Sequence, residues 1–157
     1  MEFGRVTVAL FAFLHHVAAF AVAAALAVEF ALLKGELNVT AARRLLLTDM
    51  VYGASAGLVL AAGLLRVVYF EKGAAYYFHS VPFLAKIALF IAIGLLSIVP
   101  TVEFLSWRAA LKEGSAPAVA PSKLRALRTI LHAELAGIVL ILLCASLMAR
   151  GIGLIGA

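Results

Sequence analysis

Four long apolar stretches, at about residues 6–33, 49–70, 81–107 and 124–149, constrain this chain more than any other feature. A hydrocarbon layer about 30 Å thick is crossed by roughly 20 residues of helix rising ~1.5 Å each. Inside that layer the backbone must satisfy its own hydrogen bonds, and isolated apolar segments do so as helices. The pattern predicts an all-α integral membrane fold: a four-transmembrane-helix antiparallel bundle forming a single transmembrane domain over residues 1–157. Composition agrees, with 66% hydrophobic and 13% charged residues and a mean hydropathy of +1.13. Water would not tolerate that much apolar surface, so lipid is the solvent.

The first stretch carries Ala23 and Ala25 in an arrangement like a cleavage signal. It is longer than the roughly 7–15 apolar residues of a signal peptide, and it holds His15 and His16, so it reads as a retained helix. The connection KGELNVTAARRLLLTD predicts a helix end at Gly35. A short interfacial helix carrying Arg43 and Arg44, capped by Asn38 or Thr40, follows, and a second span opens at Thr48 and Asp49. The segment FEKGAAYYFHS is short and aromatic, which predicts an antiparallel hairpin of the second and third spans. Tyr69, Tyr76 and Tyr77 suit the membrane–water boundary. KEGSAPAVAPSK is a linker with Ser122 as cap of the fourth span, and Pro100 predicts a kink by freeing the Leu96 carbonyl.

The net charge is +5, but the basic residues lie between apolar runs and read as topology determinants, not as a nucleic-acid surface. No glycine-rich phosphate loop, Ser-His-Asp set or nucleic-acid motif is present. Cys144 is the single cysteine and sits in an apolar run, a packing residue with no partner for an intrachain disulfide. The first and third connections hold Lys34, Arg43, Arg44, Arg108, Lys112, Lys123, Arg125 and Arg128. The opposite side holds Arg5, Lys72 and Arg150, with Arg66 near a helix end. The positive-inside rule then places both termini outside a bacterial inner (cytoplasmic) membrane. Gly53, Gly57 and Ala61 form a small-xxx-small series suited to packing within the monomer or to a homo-oligomer.

Ionisable residues inside spans are costly and are functional candidates by default. By depth they fall into two tiers. The outer tier holds His15, His16, Arg66, His79 and Lys86, where the nearest acid is Glu71 at the loop edge. The inner tier holds Glu29, Asp49, Tyr52, Glu103, Trp107, His132 and Glu134, at the depth of Arg43, Arg44, Arg108, Arg125 and Arg128. Interfacial salt bridges account for that inner set in a purely structural membrane protein; a proton- or ion-coupled small transporter or channel-like oligomer, relaying through Glu29, Asp49, Glu103, His132 and Glu134, is the alternative. At about 100° per residue, His15 and Glu29 project within roughly 40° of each other, while His16 turns about 100° away. His79, Lys86, Phe90, Ser97 and Thr101 share a stripe, as do Tyr52, Ser55 and Arg66. Glu134 points nearly opposite His132, which predicts a water-facing or oligomer-facing Glu134.

Haem b suits the outer tier: His15 or His16 as axial ligand to the iron, Arg66 and Lys86 against the propionates, and Phe11, Phe20, Phe83 and Phe90 around the ring. His79 is a further candidate ligand. Electron transfer or oxidation of a membrane-soluble substrate would follow. The competing reading is that the histidines only hydrogen-bond between helices. A carboxylate-bridged metal enzyme ranks last, because helix 4 offers His132-Ala133-Glu134 in place of Glu-x-x-His.

LHHVAAFAVAAALAVEFALL, followed by DMVYGASAGLVLAAGLLRVVYFEKGAAYYFHSVPFLAKIALFIAIGLLSIVPTVEFLSW, resembles a family of small bacterial membrane proteins that carries no biochemical assignment. More distantly the layout is similar to HemJ-type membrane protoporphyrinogen oxidase and to copper-resistance D-type proteins. That resemblance implies haem on a first-helix histidine, His15 or His16 here, with Lys86 in FLAKIALF as the matching lysine. The Trp-Gly-Arg segment of the HemJ pattern is replaced here by alanine-rich sequence.

A reporter fused after Ala157 tests the orientation. A tag active only outside the cytoplasm should work there, and a tag active only inside should be silent; the reverse result inverts the bundle.

Overall fold

The computed structural model describes residues 2–70 and 74–155, so Glu71 and Lys72 lie outside the described residues. Six helices follow in order: α1 (Glu2–Lys34), α2 (Val39–Leu65), α3 (Ala74–Phe78), α4 (Val81–Ser106), α5 (Arg108–Lys112) and α6 (Pro121–Ala149). A π-helical turn, Arg66–Phe70, continues α2. Four stretches are long and apolar enough to cross a membrane: Gly4–Lys34, Val39–Tyr69, Val81–Lys112 and Pro121–Ala149. The fold is therefore an all-α, four-span membrane bundle.

The second span differs from its expected outline. No separate interfacial helix precedes it; α2 starts at Val39 and runs through Asp49 without a break. Asn38 is extended and its side chain accepts from the Ala41 amide at 2.9 Å, satisfying one of the first free N–H groups. Ala41-Ala42-Arg43-Arg44-Leu45-Leu46-Leu47 are strong helix formers, so nothing stops the helix before Thr48. Asp49 thus sits almost three turns inside the span. Ser122 is not the cap of α6 either. Pro121 occupies the first turn with Ala120 at the cap position, where a missing N–H costs nothing. Pro100 is buried within α4, which runs through it.

Contact is most extensive between α1 and α2 and between α4 and α6; α1 against α6 joins the two pairs. The α2–α4 contact is slight, although these spans are consecutive. They pack loosely and are joined at one end by the hydrogen bond from Thr101 of α4 to Asp49 of α2. At the α4–α6 seam the helices meet closely: a Cβ on Gly137 would lie 2.6 Å from Ile93 Cδ1. Beyond α6 the chain turns back on Gly151 and Gly153, both at positive φ. It then pins the α3–α4 corner through Val81 N–H to Gly153 O (2.9 Å) and Ile155 N–H to His79 O (2.8 Å).

The buried core is not spread evenly. Leu26, Leu33, Ala42, Leu45, Phe104, Trp107, Leu111, Leu127 and Leu131 gather at the end that carries the arginines. Outward positions such as Phe20 (76% exposed), Leu95 and Val139 are apolar and form the lipid-facing surface.

Gly137→Val should push Ile93 away and cost about 1–3 kcal/mol, a typical overpacking loss. A Cβ on Gly57 meets nothing within 4 Å, so Gly57→Ala should hold or raise stability by up to ~1 kcal/mol through helix propensity. Thermal midpoints in detergent compare the two; equal loss would show that the α2–α4 seam is as tight as the α4–α6 seam.

Candidate functional site

The separated α2–α4 seam is a cleft. Its α2 wall is Tyr52, Gly53, Ala56, Gly57, Leu60 and Gly63, a stripe at helical spacing whose small members keep the wall low. Its α4 wall is Lys86, Phe90, Gly94, Ser97 and Thr101. Three cavities adjoin along it. The first, of about 260 Å³, is the mouth, where Arg66 and Lys86 meet Tyr76, Tyr77 and Met148. The second, about 80 Å³, shares Gly63, Val67 and Lys86 with the mouth and adds His15, Phe83 and Phe90. The third, about 270 Å³, shares Leu60, Phe90 and Ile141 with the second and reaches Tyr52, Ser97 and Thr101. The π-helical turn begins at Arg66, so α2 changes its winding where that guanidinium joins the mouth. Such turns re-aim the side chains they carry.

Of the outer-tier residues, His15, Arg66 and Lys86 come together on this cleft. His15 reaches across to α2, its Nδ1 3.1 Å from the Val59 carbonyl oxygen. A carbonyl only accepts, so Nδ1 carries the proton and Nε2 keeps its lone pair. His16 is exposed, and its Nδ1 donates to Ala12 O of its own helix at 2.6 Å. His79 is exposed at the α3–α4 corner, and neither lines the cleft. Phe83 and Phe90 are wall residues as expected, whereas Phe20 points outward.

The inner tier divides differently from the salt-bridge expectation. Glu29 of α1, Asp49 of α2 and Glu134 of α6 converge in the interior, 1%, 6% and 1% exposed, within Coulombic reach of one another. Glu134 is thus buried and His132 is the exposed one, reversing the expected orientation of α6; the His132 ring lies 5.7 Å from that of Phe30. The arginines bind carbonyls at helix ends: Arg128 Nε donates to Leu33 O (2.7 Å) and Arg43 to Leu111 O (3.2 Å). Cations are favoured at helix C-termini, where carbonyls lack intrahelical partners. Glu103 makes a salt bridge of the expected kind, but to a lysine: it accepts from Trp107 Nε1 at 3.0 Å and pairs with Lys123.

Two links had no place in the sequence reading. Thr101 Oγ1 donates to Asp49 Oδ1 at 2.7 Å, tying the cleft wall to the acid cluster. The Val59 carbonyl orients His15. Both involve positions in the predicted stripes, but the pairing of stripe with stripe depends on how the helices rotate.

These features define a multi-span membrane protein with a lateral, ligand-sized cleft. The chain belongs to the family described as Predicted membrane protein (DUF2214), whose model matches residues 7–153. No curated protein and no solved structure matches it.

Proposed function

We propose that this protein binds a membrane-soluble amphipathic anion in the α2–α4 cleft, its apolar body along the wall and its anionic end between Arg66 and Lys86. The observation that carries this is the continuity of the three cavities with both cations at one end. Ligand pockets combine apolar walls with a few convergent polar groups, as here. The cleft lies along a seam with little helix–helix contact, so a ligand dissolved in the bilayer enters sideways. With the arginine-rich end on the cytoplasmic side of a bacterial inner membrane, the mouth opens in the outer leaflet. In this reading the open face of Gly53 and Gly57 serves the ligand and not a homo-oligomer contact.

A second reading makes the ligand haem b, and the His15–Val59 bond favours it. A metal-bound histidine commonly donates its other N–H to a carbonyl, which fixes the tautomer and frees Nε2. His15 would hold the iron, with Arg66 and Lys86 on the propionates, and the group would supply one-electron transfer to or from a membrane-soluble substrate. The 80 Å³ beside His15 is small for a macrocycle, so this ligand requires α2 and α4 to part further.

Binding of a fluorescent long-chain fatty acid to the purified protein tests the first reading. Arg66→Gln with Lys86→Gln should weaken it about a hundredfold or more, since each charge-assisted bond is worth ~1.5–3 kcal/mol. Equal binding of the fatty acid to wild type and double variant, or binding of the matching neutral alcohol to wild type as tightly as the acid, would overturn the anionic-end assignment. A Soret band that His15→Ala removes would establish haem; its absence after haem supplementation ends that reading.

A further inference from the structure

We propose that Glu29, Asp49 and Glu134 form a buried proton-binding site that exchanges protons with the cleft through the Thr101 hydroxyl. The site is separate from the anion-binding mouth and does not depend on the ligand assigned there. Three helices each contribute one carboxyl, and none of the three is more than 6% exposed. Both Glu134 oxygens and Glu29 Oε1 are buried without a hydrogen-bond partner. Buried polar groups are nearly always satisfied, so orphaned oxygens on a charged side chain call for an occupant.

The choice of occupant follows from the surroundings. On α1, Lys34 at the helix end lies over the Phe30 ring, 4.4 Å from its centroid. From α2, Tyr52 is the other titratable group at the cluster, and Arg43 is bound to the Leu111 carbonyl. From α4 come the Thr101 hydroxyl and Glu103, the latter engaged with Trp107 and Lys123. From α6, Arg128 is held by Leu33 O and His132 is exposed. The cations nearest in sequence are thus committed elsewhere. Among the described residues no three acidic or histidine groups are spaced to hold a metal ion. Three carboxylates left ionised together in an apolar interior are strongly disfavoured; protons remove that penalty.

Thr101 supplies the path. Its hydroxyl donates to Asp49 while the same residue lines the cleft. A proton arriving from a cleft water adds to Oγ1 as the original hydroxyl proton passes to Asp49 Oδ1. One proton enters the oxygen and one leaves it.

The test uses the full chain in detergent. Dicyclohexylcarbodiimide, an apolar reagent that adds to protonated carboxyls, should label Glu29 or Glu134 at pH 7, and labelling should fall as pH rises, since ionised carboxylates do not react. Infrared spectra should show a carboxylic C=O band at pH 7 that Glu134→Gln diminishes, with no loss in thermal midpoint because Gln copies the neutral acid. Thr101→Val should slow hydrogen–deuterium exchange of that band severalfold. Absence of both adduct and band in wild type overturns the site, and so does protection by sodium at fixed pH, which would mark a cation site. Unchanged exchange in Thr101→Val overturns the path to the cleft. The wild-type arms need no variant to fold.

Discussion

Helices in hydrocarbon gain little by burying apolar side chains against each other, because lipid tails are equally apolar. That constraint organises this molecule. The spans of 31 and 32 residues are about 46–48 Å long at ~1.5 Å per residue, well beyond a hydrocarbon layer of about 30 Å. Leu33, Ala42, Leu45, Trp107, Leu111 and Leu127 gather in the core at the arginine-rich end, whose charged side chains belong in water and not in hydrocarbon. Water reaches that end, so the ordinary hydrophobic effect operates there and closes the bundle. Arg43 and Arg128 add to the closure by binding the carbonyls of Leu111 and Leu33. Toward the other end that driving force is absent, and the helices stay together only where shape allows, as at Gly137 and Ile93. The cleft is what remains where α2 and α4 have no such fit.

The same reasoning explains which part of the structure could be read from the sequence. Hydropathy located all four spans, because transfer into lipid depends on composition and length, not on partners. It also located His15, Arg66 and Lys86 at a common depth, and the α4 stripe through Lys86, Phe90, Ser97 and Thr101 is the wall seen here. Rotation was another matter. A soluble helix reveals its inner face by contrast with a polar outer one, but a span flanked by lipid is apolar on both sides. For that reason helical phase set Glu134 and His132 on opposite faces but exchanged inside for outside, and it separated His16 from His15 without showing which of them faces inward. The break expected at Thr48 came from reading Thr48 and Asp49 as a helix N-terminus, although the Asn38 cap and the seven strong helix formers Ala41 to Leu47 precede them. Depth alone also suggested that acids and arginines of the inner tier meet; in fact the arginines turn to helix ends while the acids turn inward.

What the cleft and the acid cluster share is α2. One face of that helix runs from Asp49 through Tyr52, Gly53, Ala56, Leu60 and Gly63 to Arg66, and α4 answers it from Thr101 through Ser97 and Phe90 to Lys86. The acid stands at one end of the groove and both cations at the other. Such a gradient along a low-dielectric groove orients any anion bound in it: the charged end is attracted at Arg66 and Lys86 and repelled at Asp49. A ligand's apolar tail is therefore directed toward Thr101, the residue that touches the acid cluster. Occupancy of the groove excludes water from the Thr101 hydroxyl, and an empty groove admits it. On the proposed ligand and the proposed proton site, the cleft and the acid cluster would be coupled by access alone, without any movement of the helices, because a ligand filling one would decide whether protons reach the other.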